Sequence, residues 1–79
     1  MRAIRTVEIL VVRDGSRFMQ ADIHNSDGGV NIERIPFDDA ISETSNHFNA
    51  MKRLCDKLGW IPATVGGWYD KKMFWVVED

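Results

Sequence analysis

The side chains that could do chemistry in this chain are few, and the first pair is Asp22 and His24. Two residues apart on a strand, their side chains point to the same face, where they could share a metal ion. A metal site needs at least a third ligand, and no Cys or His lies at a familiar metal-binding spacing from this pair. The pair is more typical of a polar turn at the end of a strand, so we expect no metal site.

The nucleophile and base candidates are isolated residues rather than sets. Cys55 is the only cysteine and has the helical spacing of Met51 and Leu58, which predicts an inward-pointing, buried side chain. A reactive thiolate would need exposure and a cationic neighbour. His47 lies beside Phe48 on the same predicted helix and is expected to flank the core.

The remaining motifs are pairs of like residues that catalytic or phosphate sites sometimes use. The carboxylates of Asp38 and Asp39 stand where a helix is expected to begin, which is a position for caps rather than for an acid–base pair. The glycine pairs at 28–29 and 66–67 lack the strand–loop–helix context of a phosphate cradle, and we interpret them as turn and bulge. We therefore expect a non-enzymatic protein that uses no metal and no cofactor.

Aromatic residues are concentrated near the C-terminus, where five of them fall within sixteen residues: Trp60, Trp68, Tyr69, Phe74 and Trp75. Such a group can pack a core, anchor a protein interface or stack unpaired bases, and all three interpretations stay open. The nucleic-acid interpretation uses the sheet aromatics, with Trp68 among them, and the basic residues Arg13, Arg17, Lys71 and Lys72. Against it, the formal net charge of −2 provides no overall attraction to phosphates.

The composition of the chain predicts one domain, residues 1–79. A hydrophobic content of 44% and a charged content of 28% are ordinary for a soluble globular protein. The apolar N-terminal run is interrupted by Glu8 and lacks a small-residue cleavage site, and no stretch approaches the roughly 20 apolar residues of a membrane span. With a single cysteine, the chain is expected to be cytoplasmic.

The stretch VEILVVRDGSRFMQADI, residues 7–23, predicts a β-hairpin. A three-residue loop, 13–15, with glycine in the left-handed position would pair Ile9 with Met19 and Val7 with Ala21. That register collects the apolar residues on one face, namely Val7, Ile9, Val11, Met19, Ala21 and Ile23. A two-residue loop would mix polar and apolar residues on both faces, so the three-residue loop is preferred.

The rest of the chain predicts one more strand, a helix and a second hairpin. Val30 and Ile32 alternate with polar residues in a third, half-buried strand that ends before Pro36. A helix is expected from Asp38 to Leu58, capped by Asp38 or Asp39 and stopped by Gly59, with an apolar face of Ile41, Thr44, Phe48, Met51, Cys55 and Leu58. Strands at 61–69 and 72–78 follow, joined by a turn at 70–71.

The predicted order is therefore β-β-β-α-β-β, an α+β fold in two layers with one helix on a mainly antiparallel sheet of four or five strands. A single helix covers only one side of such a sheet, yet the first and last strands are apolar on both faces. Five side chains are expected on the uncovered face: Leu10, Val12, Phe18, Phe74 and Val76. Either another chain covers them, a second copy in a homodimer or a different protein, or the sheet curls into a small barrel.

Two resemblances accompany this pattern. The ending LCDKLGWIPATVGGWYDKKMFWVVE, a third of the chain, resembles the endings of several small uncharacterised bacterial domains. In size, mixed α+β make-up and lack of catalytic residues, the chain also resembles small phage-encoded inhibitors such as anti-CRISPR proteins. That resemblance implies a protein-binding inhibitor or regulator of a larger complex. The alternative from the residues themselves is a single-stranded nucleic-acid-binding protein.

Overall fold

A computed structural model describes residues 2–77 of the chain. These residues form five strands and one helix: β1 (Arg2–Leu10), β2 (Arg17–His24), β3 (Val30–Pro36), α1 (Glu43–Leu58), β4 (Gly66–Tyr69) and β5 (Lys72–Val77). The strands make one sheet in the order β3-β2-β1-β5-β4, and every neighbouring pair is antiparallel. The predicted α+β fold and its element order are confirmed.

The helix lies across one face of the sheet and contacts β1, β2 and β3. Because β3 and β4 are at opposite edges, the chain between them must cross the whole sheet, and α1 makes that crossing. Between helix and sheet lies the core, whose side chains are at most 6% exposed: Ile4, Met19, Ala21, Ile23, Ala50, Met51, Leu54, Cys55, Ala63, Met73, Trp75 and Val77. No helix in the described part of the chain is both long and apolar enough to cross a membrane.

The helix begins at Glu43, five residues later than predicted. Its N-cap is Ser42, whose hydroxyl oxygen accepts from the backbone N–H of Ser45 at 3.1 Å. The carboxylate of Asp38 accepts instead from the N–H of Ala40 in a local turn, at 2.9 Å. The prediction was wrong because an aspartate that bonds to its own following backbone competes with helix formation, leaving the serine to cap.

The buried face of α1 is also rotated relative to the prediction, and consists of Asn46, His47, Ala50, Met51, Leu54 and Cys55. Met51 and Cys55 are buried as predicted, and Phe48 packs against the core from the side. Thr44 is exposed, and Ile41 precedes the helix, so these two positions were wrong. At the C-terminus, the left-handed Gly59 (φ 73°) ends the helix as predicted.

The register of the first hairpin differs from the prediction by one residue. Ile9 lies opposite Phe18, and Val7 lies opposite Gln20. The loop is longer than expected, because the N–H of Val11 donates to the carbonyl of Ser16 at 2.8 Å and leaves four residues between them. This difference of one residue exchanges the two faces of β1 relative to the prediction. Its even-numbered residues face the helix, while Val7 and Ile9 face away from it.

The third strand also turns its apolar residues away from the helix. Val30 and Ile32, expected on the buried side, are 44% and 39% exposed. Asn31, Glu33 and Ile35 face the helix, since they lie opposite the buried Ile23, Ala21 and Met19 of β2. An edge strand has only one neighbour, so its alternation is a weak guide to which side is covered.

The last hairpin begins at Gly66 rather than at residue 61, and position 78 of its predicted second strand lies outside the described residues. The turn is at Asp70 and Lys71 as predicted, with φ angles of 50° and 65°, as in a type I′ turn. Gly66 is neither turn nor bulge. It lies opposite Trp75, and a Cβ there would come within 2.5 Å of the indole ring, so this strand position needs glycine for a close approach.

Candidate functional site

The face of the sheet turned away from α1, here called the open face, has no second layer within residues 2–77. Its apolar side chains, assigned by strand alternation and cross-strand pairing, are Val7, Ile9, Phe18, Val30, Ile32, Phe74 and Val76. Phe74 and Val76 are 37% and 39% exposed, although Trp75 between them is buried. The sheet is not closed, since β3 and β4 are its edges, so the barrel alternative does not apply.

Three of the five predicted protein-binding residues lie on the open face: Phe18, Phe74 and Val76. Leu10 does not, because it lies opposite Arg17 on the helix side of the sheet, where it is 56% exposed. Val12 is in the β1–β2 loop and 88% exposed. Both were misplaced by the same one-residue error in the hairpin register.

A row of polar side chains crosses the middle of the open face. Arg5 donates to both carboxylate oxygens of Asp22, at distances from 2.7 to 3.2 Å, and this bonding raises the pKa of Arg5. Gln20 donates to the same carboxylate at 3.0 Å and accepts from Arg34 at 2.9 Å. We call these four residues the polar ladder. The Arg5 guanidinium and the Asp22 carboxylate are paired with each other, whereas the exposed Arg34 donates to the neutral amide of Gln20.

Asp22 and His24, the two residues considered as metal ligands, have different environments. Asp22 is 4% exposed and its two oxygens are occupied by Arg5 and Gln20, while His24 is exposed at the strand end. Among residues 2–77, no three His, Cys, Asp or Glu side chains are placed to hold a metal ion.

On the helix side, a chain of neutral hydrogen bonds runs through the core. The indole N–H of Trp75 donates to the hydroxyl oxygen of Thr6 at 3.0 Å, and that oxygen lies 2.8 Å from Nδ1 of His47. Because an indole only donates, the Thr6 hydroxyl oxygen accepts from Trp75, and the same oxygen is hydrogen-bonded to the imidazole of His47. Burial lowers the pKa of His47, which is only 4% exposed. His47 flanks the core as predicted.

Cys55 is fully buried, with its Sγ 3.6 Å from Sδ of Met51. Burial raises the pKa of this thiol, which disfavours the reactive thiolate. The residue packs as a small apolar side chain, as its helical spacing predicts.

A groove of about 790 Å³ opens beside His47, and sequence reasoning did not find it. Its lining combines residues of both faces of the sheet with the start of the helix: Val7, Glu8, Glu43, His47, Trp68, Asp70, Lys71 and Lys72. The ring of Trp68 forms an edge contact with His47, with 4.7 Å between ring centroids, and stays 48% exposed. No sequence motif marks this groove, because it depends on where β5 ends relative to β1.

The basic residues of the nucleic-acid alternative lie at one end of the sheet: Arg13, Arg17, Lys71 and Lys72. Arg17 is ion-paired with Asp39, lies 3.6 Å from Glu8 and stacks over the ring of Phe37. The Nζ atom of Lys72 lies 3.8 Å from the carboxylate of Asp70. Carboxylates are therefore interleaved with these cations rather than segregated from them.

The aromatic residues are divided between the two sides of the sheet. Trp75 is in the core, and Trp60 is partly buried against it. Trp68 lies opposite the buried Met73 and so faces the helix side, whereas Tyr69 and Phe74 are exposed. The group does not form a single stacking platform.

Comparisons of the chain with protein-family models, with curated proteins and with solved structures found no match.

Proposed function

We propose that this chain is a non-enzymatic protein-binding module that docks through its open face, on a second copy of itself or on another protein. The observation that carries the proposal is the exposure of large apolar side chains on a sheet face without a second layer. Burying apolar surface stabilises a complex by about 25 cal/mol per Å². Exposed apolar side chains on both sides of the polar ladder are typical of an interaction surface.

Phe74 is the natural anchor of this surface. Its cross-strand neighbours are Arg5 on one side and Gly67 on the other, and the glycine has no side chain to shield the ring. Val76 lies opposite the small Ala3, which leaves it similarly open. Aromatic side chains that project from a surface in this way commonly dominate binding energy at protein interfaces.

The polar ladder makes the face easier to cover. A buried charge without a partner costs several kcal/mol, whereas Asp22 already has its bonds from Arg5 and Gln20. A partner can therefore lie over the Arg5–Asp22 pair without supplying an ion to neutralise it, and an acidic group would suit the exposed Arg34 on β3.

The size of the face sets a limit on its use. Five strands about 4.8 Å apart and roughly 20 Å long present on the order of 500 Å² in projection. A standard protein interface buries about 800 Å² on each partner. A stable contact would therefore extend beyond the open face onto a neighbouring surface.

The two side chains best suited to nucleophilic or base chemistry are engaged in the fold, Cys55 in the core and His47 with Thr6. This supports a module that acts by occupying a surface its partner needs, as an inhibitor or regulator of a larger complex. A phage-encoded inhibitor of the anti-CRISPR kind is one form of this proposal. We place the protein in the cytoplasm, where its buried free thiol would remain reduced.

Sedimentation velocity tests the proposal directly. We expect the natural chain to self-associate and Phe74→Asp to be monomeric, because a carboxylate cannot be buried at the centre of an apolar contact. Ile61→Asp is the matched control, since Ile61 is 88% exposed and lies in the loop between α1 and β4, outside the strands of the sheet.

If the natural chain is monomeric, the same variants are compared as baits for a partner from the native host. A partner retained equally by the natural chain, Phe74→Asp and Ile61→Asp would refute docking through the open face. Binding of a single-stranded oligonucleotide that quenches tryptophan fluorescence and weakens with salt would instead favour the nucleic-acid alternative.

A further inference from the structure

The groove beside His47 exists because β1 extends further than its neighbour β5. The pairing of β1 with β2 continues to Leu10, whereas its pairing with β5 ends at Thr6, opposite Met73. At residues 70 and 71 the chain turns back into β4. On that side, β1 therefore has no neighbouring strand beyond Thr6 within residues 2–77, and the sheet has a gap there.

The hydrogen-bond pattern shows which backbone groups face the gap. The N–H of Val11 donates to Ser16, so this pair is hydrogen-bonded, and by alternation Ile9 and Val7 also direct their backbone groups toward β2. Glu8 and Leu10 must then direct theirs the opposite way. Each contributes one N–H and one C=O to the gap, and these four groups are spaced as in an antiparallel or parallel ladder.

The groove is the open space in front of these groups. Val7 and Lys72 line it from the open face, while Trp68 and Glu8 line it from the helix side. Residues from both faces can line one groove only where a strand is absent between them. Its volume of about 790 Å³ is ample for several residues of extended chain.

The two edges of the sheet are less suited to strand addition. At the β3 edge, the ammonium group of Lys57 donates to the carbonyl of Ile32 at 3.2 Å, and Pro36 has no N–H to offer. Charged side chains and proline are common ways to protect a sheet edge. The β4 edge is only four residues long. The gap beside β1 has no proline, and the backbone groups of Glu8 and Leu10 face an open groove, although Lys71 and Lys72 line its rim.

The groove is lined by charges of both signs, but Lys72 lies 3.8 Å from Asp70 on the turn, and it is Glu43, at the start of α1, that favours a basic side chain on the helix side. Glu43 has no ion-pair partner among residues 2–77, and Glu8 shares Arg17 with Asp39. The half-exposed ring of Trp68 adds a surface on which a cation can stack. In an added strand, alternate side chains would point toward this side.

We infer that an extended segment of a partner protein, carrying a Lys or Arg side chain toward Glu43 and Trp68, adds as a strand to residues 8–10 of β1. The inference rests on the proposed protein-binding function and names the kind of segment that the module recognises. It also supplies contact area next to the open face, which is too small by itself for a standard interface.

The probe for this inference is the blocked peptide acetyl-Val-Lys-Val-Lys-Val-amide, in which every Lys lies on one side of the strand. We expect the backbone amide protons of Glu8 and Leu10 to exchange rapidly with solvent in the free protein. With saturating peptide they should exchange at least about tenfold more slowly, because they become hydrogen-bonded to the added strand. The same peptide N-methylated at two adjacent residues should not bind, and the Val-Glu-Val-Glu-Val analogue should bind more weakly.

Two variants of the protein separate backbone from side-chain effects. Leu10→Pro removes a backbone N–H that is not hydrogen-bonded to β2. We expect the affinity for the Lys peptide to fall about fivefold. Leu10→Ala, which keeps the N–H, is its control. Glu43→Gln should weaken binding of the Lys peptide about threefold. If Leu10→Pro does not fold, the N-methylated peptide still tests the backbone bonds.

The outcomes distinguish this inference from the proposed function. Equal affinity for the N-methylated peptide, or no binding of the Lys peptide at about 5 mM, overturns strand addition, since millimolar affinity is within reach of very weak contacts. Phe74→Asp should leave peptide binding within about twofold of the natural chain while it abolishes association through the open face. If the protein associates through the open face but does not bind the peptide, the proposed function is supported and only the strand-addition site is refuted.

Discussion

The two faces of the sheet are built from the same kinds of residue but have different environments. On β5, Met73, Trp75 and Val77 are at most 5% exposed beneath the helix, while Phe74 and Val76 alternate with them and are more than a third exposed. Their hydrophobicity does not explain this difference. The topology does, because the helix in residues 2–77 lies on one face only. The fold therefore covers the apolar side chains of one face of the sheet and, within residues 2–77, leaves those of the other face exposed.

The polar groups of the two faces differ for a related reason. Under the helix, Trp75, Thr6 and His47 form a neutral chain of hydrogen bonds. On the open face, the polar ladder includes full charges, with the side chain of Arg5 38% exposed. The Asp22 carboxylate is itself only 5% exposed, and it is tolerated there because the partly hydrated Arg5 donates to both of its oxygens.

The largest test of this comparison uses one residue type on both faces. Ile4→Ala, at a fully buried position, should lower the free energy of unfolding by about 3 kcal/mol, because it leaves a cavity. Ile32→Ala, at a 39% exposed position, should cost about 1 kcal/mol or less. Urea unfolding in the Phe74→Asp background, which removes association, measures both. Equal losses would mean that the open face is covered within the monomer.

The second test concerns the neutral hydrogen bonds under the helix. Thr6→Val keeps the shape of the side chain but leaves the indole N–H of Trp75 and Nδ1 of His47 without their shared partner, so we expect a loss of about 2 kcal/mol. Thr6→Ser retains the hydroxyl and should cost clearly less. On the open face, Gln20→Ala should cost under about 1 kcal/mol, since water can replace its bonds. Thermal unfolding of the three variants would contradict the comparison if Gln20→Ala were the most harmful.

The third test uses adjacent glycines. Gly66→Ala places a methyl group against the ring of Trp75 on the helix side, and overpacking should destabilise the protein by about 1–3 kcal/mol. Gly67→Ala points to the open face, where no described atom lies within 4 Å, and should change stability by less than about 0.5 kcal/mol. Near-UV circular dichroism would report the displaced indole in the first variant only. If Gly66→Ala left the stability unchanged, Trp75 would not be packed closely against β4.

The smallest expected effect is the pH dependence caused by His47. Burial lowers its pKa in the folded protein below the unfolded value of about 6.5, so the unfolded state binds the proton more readily. Stability should be retained above that value and lost as the pH falls from there through the folded-state pKa. Unfolding measured between pH 5 and pH 8 should show this slope, and His47→Gln should reduce it. An unchanged slope in the variant would assign the effect to other groups.

Local patterns predicted the fold because each reports on its own segment. Gly59 ends the helix, Asp70 and Lys71 form the last turn, and the alternation of β5 is as expected. These features depend on backbone preference and on neighbours within a few residues. The same reasoning located Cys55 in the core and recognised that one face of the sheet would lack cover.

Prediction failed where the decision lay between distant segments. The hairpin register was wrong because Val7 and Ile9 are as apolar as Ile4, and the hydrogen bonds that lengthen the loop, from Val11 and Ser16, were not readable from residue type. That single error misplaced Leu10 and Val12. The groove was missed because it depends on where β5 stops relative to β1, and no motif marks the end of a strand pairing.

The amino-acid sequence by itself determined the order of the elements, the position of the last turn and the excess of apolar strand residues over what one helix can cover. The tertiary structure alone decided which of these residues are buried beneath the helix, and where the backbone of β1 has no neighbouring strand. The physical reason is that propensity and capping act within a few residues, whereas strand register and burial are settled by competition among segments that meet only after folding.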